Sequence, residues 1–470
     1  GVGTLAKTAK AVRATDAYDR GVTGAGVGVA LIDSGVVPVP GLVSSGKVVN
    51  GPDLSFDSQA DNLRYLDGYG HGTHIAGIIA GHSDDGSFNG IAPGATVLNV
   101  KVANASGQVD VSQVLAAIDW VVQHRNDRGM NVRVLNLSFG TDSRQPYTID
   151  PLDYAAEVAW RNGIVVVAAA GNGGVSPIGL NDPADDPYVI AVGADDTNGT
   201  PGFGDDAVPA FSSRGDGVRN PDVVAPGVSI ESLRDPNSVL DLAHPGAVVG
   251  TQLFKGTGTS QAAAVVSGAA ALLLQNRPTL TPDQVKCLLT STAHRIPGVL
   301  PTAQGFGVID VAAALSAPVP PTCTQTFPFA TGTGSLEAAR GSVHVVSPDG
   351  TPLVGEVDIF GNSWSGNSWS SNSWSGVSWS GGMWNGNSWS GNSWSGNSWS
   401  GVSWSGVSWS GNSWSGNSWS SNSWSSNSWS GNSWSGNSWS GNSWSGVSWS
   451  GNSWSGNSWS SNSWSGSDWS

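Results

Sequence analysis

The chain has 470 residues, a net charge of −15 at pH 7 and only 12% charged residues, with no basic block of the kind that binds nucleic acid or an anionic membrane. No apolar run reaches the roughly 20 residues of a membrane span. Two cysteines, Cys287 and Cys323, are too few for a disulfide-dense scaffold. In an exported protein they are expected to form one bridge tying the end of the first domain to the segment beyond it; two unpaired thiols are the alternative.

Residues 1–315 alternate short β-branched runs with helical patterns. Val27–Ile32 predicts a buried strand ended by Asp33-Ser34-Gly35. Val97–Val102, Arg133–Ser138, Ile164–Ala170 and Tyr188–Val192 predict four more. Val111–Arg125 predicts an amphipathic helix, with Val114, Leu115, Ile118, Val121 and Val122 on one face. Ala262–Leu274, Ala-rich and interrupted by Ser267 and Gly268, predicts a buried helix. Near-continuous apolar strands between helices imply an α/β domain whose mostly parallel central sheet is covered on both faces. Function in such sheets gathers at the carboxyl ends of the strands, where the loops of Asp33 and Asn172 fall.

Residues 316–360 change character. Pro318-Val-Pro-Pro321 reads as a linker. The alternating stretches Ser342–Val346 and Leu353–Phe360, split by Pro348-Asp349-Gly350, predict a small β-hairpin element. Residues 361–470 repeat Gly-Asn-Ser-Trp-Ser with tryptophan at every fifth position from Trp364 to Trp469, leaving Trp120 and Trp160 as the others among 24. Two readings of this tail stand. In one it is disordered, and its tryptophans are adhesive points. In the other it is a β-solenoid. Ser-Trp-Ser is then the strand, with both serines on one side and Trp on the other, building tryptophan and asparagine ladders.

Three segments carry the chemistry: Ala30–Val36 around Asp33, Gly70–Gly77 around His71, and Gly256–Ala264 around Ser260. Singly each has a plain reading. Asp33 is a turn former, His71 and His74 are helix-surface residues or metal ligands, and Ser260 is a helix cap. No glutamate stands where a metalloprotease places its base. Together they supply what a serine nucleophile needs: a base to take its proton and a carboxylate to orient that base. Ser260 opens a small-residue helix, where free N–H groups favour negative charge. Asn172, in Gly171-Asn-Gly-Gly174, is a fourth element, either a donor to a developing oxyanion or a left-handed turn residue.

At these residues the sequence resembles the subtilisin-like serine peptidases, and the order Asp, His, Ser is theirs. Leu135–Gly140, Tyr188–Ala194, Phe211–Gly215 and Pro221–Gly227 resemble the family as well, so the likeness spans about residues 15–315. It implies a three-layer domain and a secreted endopeptidase that needs no cofactor for its chemistry. Ser260 is the implied nucleophile, His71 the base, Asp33 its orienter and Asn172 the oxyanion donor. Ser138, Phe139 and Gly140 resemble one substrate-pairing strand, and Gly107 and Gln108 the opposite one; backbone pairing there is edge-strand recognition. Gln261 departs from the usual methionine after the nucleophile, and Phe139 from the common leucine.

The loop His82–Gly90 occupies the place of a family calcium loop. Asp84 and Asp85 are suitable donors there, although the loop reads first as a solvated acidic turn. The family's precursors usually carry a signal and a propeptide, so the chain, which opens on Gly1, is expected to correspond to a mature form. Polypeptides are the expected substrates. The tail is expected to serve attachment, to cell-surface or polysaccharide material or to other copies. A surface-binding protein on an inert scaffold is the rival reading, and the intact triad weighs against it.

Overall fold

The computed structural model describes residues 3–359 apart from Pro348. In the repeat region it describes 363–364 and the short strands from 368 to 469, with part of what joins them. Pro348 and Phe360 of the expected hairpin lie outside the described residues, as do the residue pairs joining the tail strands up to 407.

Seven strands make the central sheet: β1 (Gly28–Asp33), β2 (Val48–Asp53), β3 (Thr96–Lys101), β4 (Val132–Leu137), β5 (Val165–Ala169), β6 (Ile190–Asp195) and β7 (Val223–Pro226). Their order is β2-β3-β1-β4-β5-β6-β7, and every neighbouring pair is parallel. β1, β5 and β6 are buried at every residue, which explains their unbroken apolar runs. The sequence pattern does not predict β2 or β7, the two edges. From β1 the chain fills one side of the sheet with β2 and β3, then crosses to β4 on the other. The carboxyl end of β1 is therefore a topological switch point, and Asp33 stands on it.

Two helix pairs cover the sheet. Val111–His124 packs on Pro151–Arg161, and Thr259–Asn276 packs on His71–Ala80 and along β4 to β7. Their starts are encoded locally. Asp110 and Gln113 form a reciprocal capping box. Asp150 caps a helix whose first residue is Pro151. A small antiparallel sheet of Ile230–Leu233, Val248–Val249 and Leu253–Gly256 delivers the chain to the Thr259–Asn276 helix.

Cys287 is bonded to Cys323. Beyond it the chain returns to the main core. Leu336 and Ala339 of the short Leu336–Arg340 helix join the central apolar cluster, and buried Arg340 donates to Asp110 at 2.7 Å. Where a hairpin is expected, a single antiparallel bridge, Val346 to Pro352, closes the turn.

The tail forms four parallel sheets in which each strand pairs with the one 20 residues on, tryptophan against tryptophan. Four pentapeptides thus complete one coil. Trp414–Trp449 are buried while the serines of strands 433–450 are exposed. Tryptophans of successive coils stack with centroids 3.9–5.0 Å apart and planes within 8°. Asparagines form a second ladder, each Oδ1 accepting the N–H of the asparagine one coil earlier at 2.8–2.9 Å. The solenoid reading holds for the described residues; Trp414–Trp449 face inward, whereas Trp454 is half-buried and Trp459 is exposed near the end of the stack.

Candidate active site

Asp33 is buried at the end of β1, and one of its oxygens accepts the Ser34 N–H at 2.8 Å. Its carboxylate lies 2.8 and 3.0 Å from His71 Nδ1. His71 is the first residue of the His71–Ala80 helix, and Gly70 precedes it at φ 105°. Gly72 is required by contact: a Cβ there would sit 2.1 Å from the Gly35 carbonyl oxygen. The helix can approach the β1 turn only without that carbon.

Asp67, which the sequence pattern does not single out, locks this approach. One oxygen accepts Ser34 Oγ at 2.8 Å, Gly70 N–H at 2.7 Å and Tyr69 N–H at 3.1 Å; the other accepts Thr73 N–H at 2.8 Å. Ser34 Oγ in turn accepts the Gly72 N–H at 2.9 Å. Burial raises the Asp67 pKa, and these hydrogen bonds offset it only in part. An aspartate before Gly68 carries a turn signal and nothing more specific.

Burial works to lower the His71 pKa. The charge and hydrogen bond of Asp33, with the charge of Asp67 behind them, outweigh it, and the net direction is upward from 6.5. His74, one turn along, is buried with neither ring nitrogen partnered, and burial pushes its pKa down to about 3. It packs edge-on against Phe254 at 6.4 Å, so it is a neutral core residue.

Ser260 is the second residue of its helix. Its Oγ donates to the Ser138 carbonyl at 2.8 Å, and Ser138 Oγ donates back to the Ser260 carbonyl at 2.9 Å. Asn172 is held by its oxygen, which accepts the Thr259 N–H at 2.9 Å and Thr259 Oγ1 at 3.1 Å. That tether leaves its amide N–H groups free. His71, Ser260, Asn172, Gln261 and Tyr69 line one cleft of about 880 Å³.

The other expected site residues divide. Ser138 touches Ser260 directly, and Phe139 and Gly140 continue from it. Gly107 sits in a turn closed by Asn104, and a Cβ on it would meet the Tyr69 ring at 2.9 Å. Gln108 closes that same turn through its N–H, 2.9 Å from Asn104 Oδ1. Asp84 and Asp85 are exposed and stand apart from the cleft. Asp84 accepts Ser44 Oγ at 3.4 Å, and Asp85 accepts the N–H and Oγ of Ser87, which lower its pKa to about 2. Among the described residues no third acidic or histidine ligand converges on them.

The sequence model of the subtilase family matches residues 24–307. Serine protease AprX of Bacillus subtilis is 38% identical over 297 residues, covering 62% of this chain and 66% of AprX. Subtilisin Savinase of Lederbergia lenta is 34% identical over 303 residues, covering 64% of this chain and 96% of Savinase. The crystal structure of fervidolysin from Fervidobacterium pennivorans, described as a keratinolytic enzyme related to subtilisin, superposes with a TM-score of 0.52 at 31% identity. The match covers 65% of this chain and 44% of that one.

Proposed function

Because this chain belongs to the subtilase family, and is a serine endopeptidase on that ground, we propose that it hydrolyses peptide bonds through an acyl-enzyme on Ser260. The observation that carries this reading is the meeting of His71, bonded to Asp33, with Ser260 and Asn172 in one cleft. Ser260 Oγ rotates from the Ser138 carbonyl and attacks the scissile carbon while His71 Nε2 takes its proton. The imidazolium is stabilised through Nδ1–H by Asp33. The tetrahedral oxyanion accepts from Asn172 Nδ2 and the Ser260 N–H, at a helix start that favours negative charge. His71 then protonates the leaving amine, and water repeats the sequence on the acyl-enzyme. Substrate lies extended between 138–140 and the Gly107–Gln108 turn.

The test is labelling with a fluorophosphonate, followed by peptide mapping. The adduct is expected on Ser260 and is expected to vanish in His71→Ala; a folded chain that stays unlabelled would overturn the reading.

We place the enzyme outside the cytoplasm. The Cys287–Cys323 bond supports an oxidising compartment. No described helix is long and apolar enough to cross a membrane. The tail serves attachment, and its outward serines, not its tryptophans, make the contact. Equal retention on insoluble polysaccharide with and without residues 361–470 would count against this.

A further inference from the structure

Thr141, one residue beyond Gly140, pairs both ways with Asp182, each N–H donating to the other's carbonyl at 3.0 Å. Asn181 donates its N–H to the Ala170 carbonyl at 2.9 Å. Its side chain fills the space where a Cβ on Gly140 or Gly171 would go, at 2.8 and 2.7 Å. Asn181 and Asp182 together thus tie the two segments that lead into the cleft, Asp182 through Thr141 and Asn181 through Ala170. Asp150 and Asp153, the cap and first turn of the Pro151–Arg161 helix, meet Asp182 there.

These three carboxylates are buried, and each offers an oxygen within 4.8 Å of the others. Asp150 is partnered: Oδ1 accepts the Leu152 N–H and Oδ2 accepts Gln145 Nε2, both at 2.8 Å. Asp153 and Asp182 are different. They are 0% and 1% exposed, and no N–H or hydroxyl donor reaches any of their four oxygens, whose polar neighbours are one another and Asp150. A buried carboxylate with no donor and no cation is among the costliest arrangements in a protein. The helix start contributes only a partial positive charge. Burial and mutual repulsion hold both groups well above the usual carboxylate range, and Asp185 and Asp186 add to the negative field. Arg219 and Lys286 are engaged elsewhere, on Asp222 and on backbone carbonyls.

We infer that Asp150, Asp153 and Asp182 bind a calcium ion, which fixes the shared base of the 138–140 and 170–172 segments. Oxygens on opposite sides of calcium, at 2.3–2.6 Å from it, lie up to about 5 Å apart, so the spacing fits. An all-oxygen set favours calcium, magnesium or manganese over zinc and copper. Magnesium demands near-ideal octahedral geometry, whereas calcium's flexible coordination suits carboxylates drawn from a helix and a separate loop. The ion would turn three mutual repulsions into three attractions and give the unpartnered oxygens their missing contacts. The site is separate from Asp84 and Asp85, and its existence does not depend on which serine is the nucleophile.

The test uses the full chain carrying Ser260→Ala to prevent self-cleavage, stripped with EGTA and titrated with calcium chloride alone. The parent is expected to bind one calcium equivalent more than Asp153→Asn or Asp182→Asn, whereas Asp84→Asn binds as the parent does. Calcium is expected to raise the parent's Tm by several degrees and to leave the first two variants unmoved. In EGTA those two should melt at or above the parent, since a neutral amide removes repulsion. No calcium-linked rise in the parent, or unchanged binding in both variants, would overturn the site. Should neither variant fold, terbium-soaked crystals of the parent decide. An anomalous peak between the three carboxylates supports the site, and its absence there rules it out.

Discussion

Asn172→Ala should lower kcat by about 10²- to 10³-fold with little change in KM, the scale seen when a subtilisin loses one oxyanion-hole donor. Steady-state kinetics on a peptide substrate checks this. His71, as the proposed base, is expected to set the acid limit. Its raised pKa means that the midpoint of acid inactivation in kcat/KM falls above 6.5, and a rate flat to pH 4 would contradict a histidine base. Stability runs the other way. The folded state holds that proton more tightly than the unfolded chain does. The resulting stabilisation is full below about 6.5 and is lost as pH rises through the folded value. Asp67→Asn should move the acid limb downward, because a charge that supports the imidazolium is gone. It should also cost kcat up to about 100-fold, the scale of a misplacement near 1 Å. The pH profile separates that role from simple loss of fold. Asp33, His71 and Ser260 were legible as a candidate set because attack by serine demands those residue types together. Asp67 was not, because its work is done through backbone N–H groups whose positions no residue type announces.

At the scale of elements, the five predicted strands lie in the sheet, and the two unpredicted ones, β2 and β7, are its edges. β2 contains Gly51-Pro52-Asp53, which reads as a turn, and β7 has four residues and ends in Pro226. β2 is only partly buried, and an edge strand tolerates proline where its N–H would face outward, whereas β7 is buried throughout but its apolar run, Val223–Ala225 before Pro226, is too short to stand out. Pattern reading is therefore weakest at the two places where the sheet stops. The His71–Ala80 helix shows the opposite case, a small-residue pattern with a definite structural demand. Gly72→Ala forces a Cβ against the Gly35 backbone oxygen and should destabilise the domain by about 1–3 kcal/mol, the usual cost of overpacking. Thermal melting measures that loss. Activity should fall further than stability alone predicts, since the strain lies between Asp33 and His71.

For the whole molecule, the tail's alternation of inward tryptophan and outward serine was legible from a period of two within each strand. The choice between order and disorder was not. Burial of each tryptophan depends on a neighbour 20 residues away, and a five-residue repeat contains no mark of that longer period. Trp439→Ala, inside the stack, should cost about 3–5 kcal/mol locally. It should lower the urea midpoint of tryptophan fluorescence and leave peptide hydrolysis unchanged, as coils pass load mainly to their neighbours.

The mismatch between a sequence unit of five and a coil of 20 has an evolutionary consequence. All four sides of the coil are chemically alike, so inserting or deleting one pentapeptide rotates everything downstream by a quarter turn and restores the same packing. The rod lengthens or shortens by about 1.2 Å per unit, a quarter of the strand spacing. Repeat slippage during replication, ruinous in most folds, would here act as a vernier on reach.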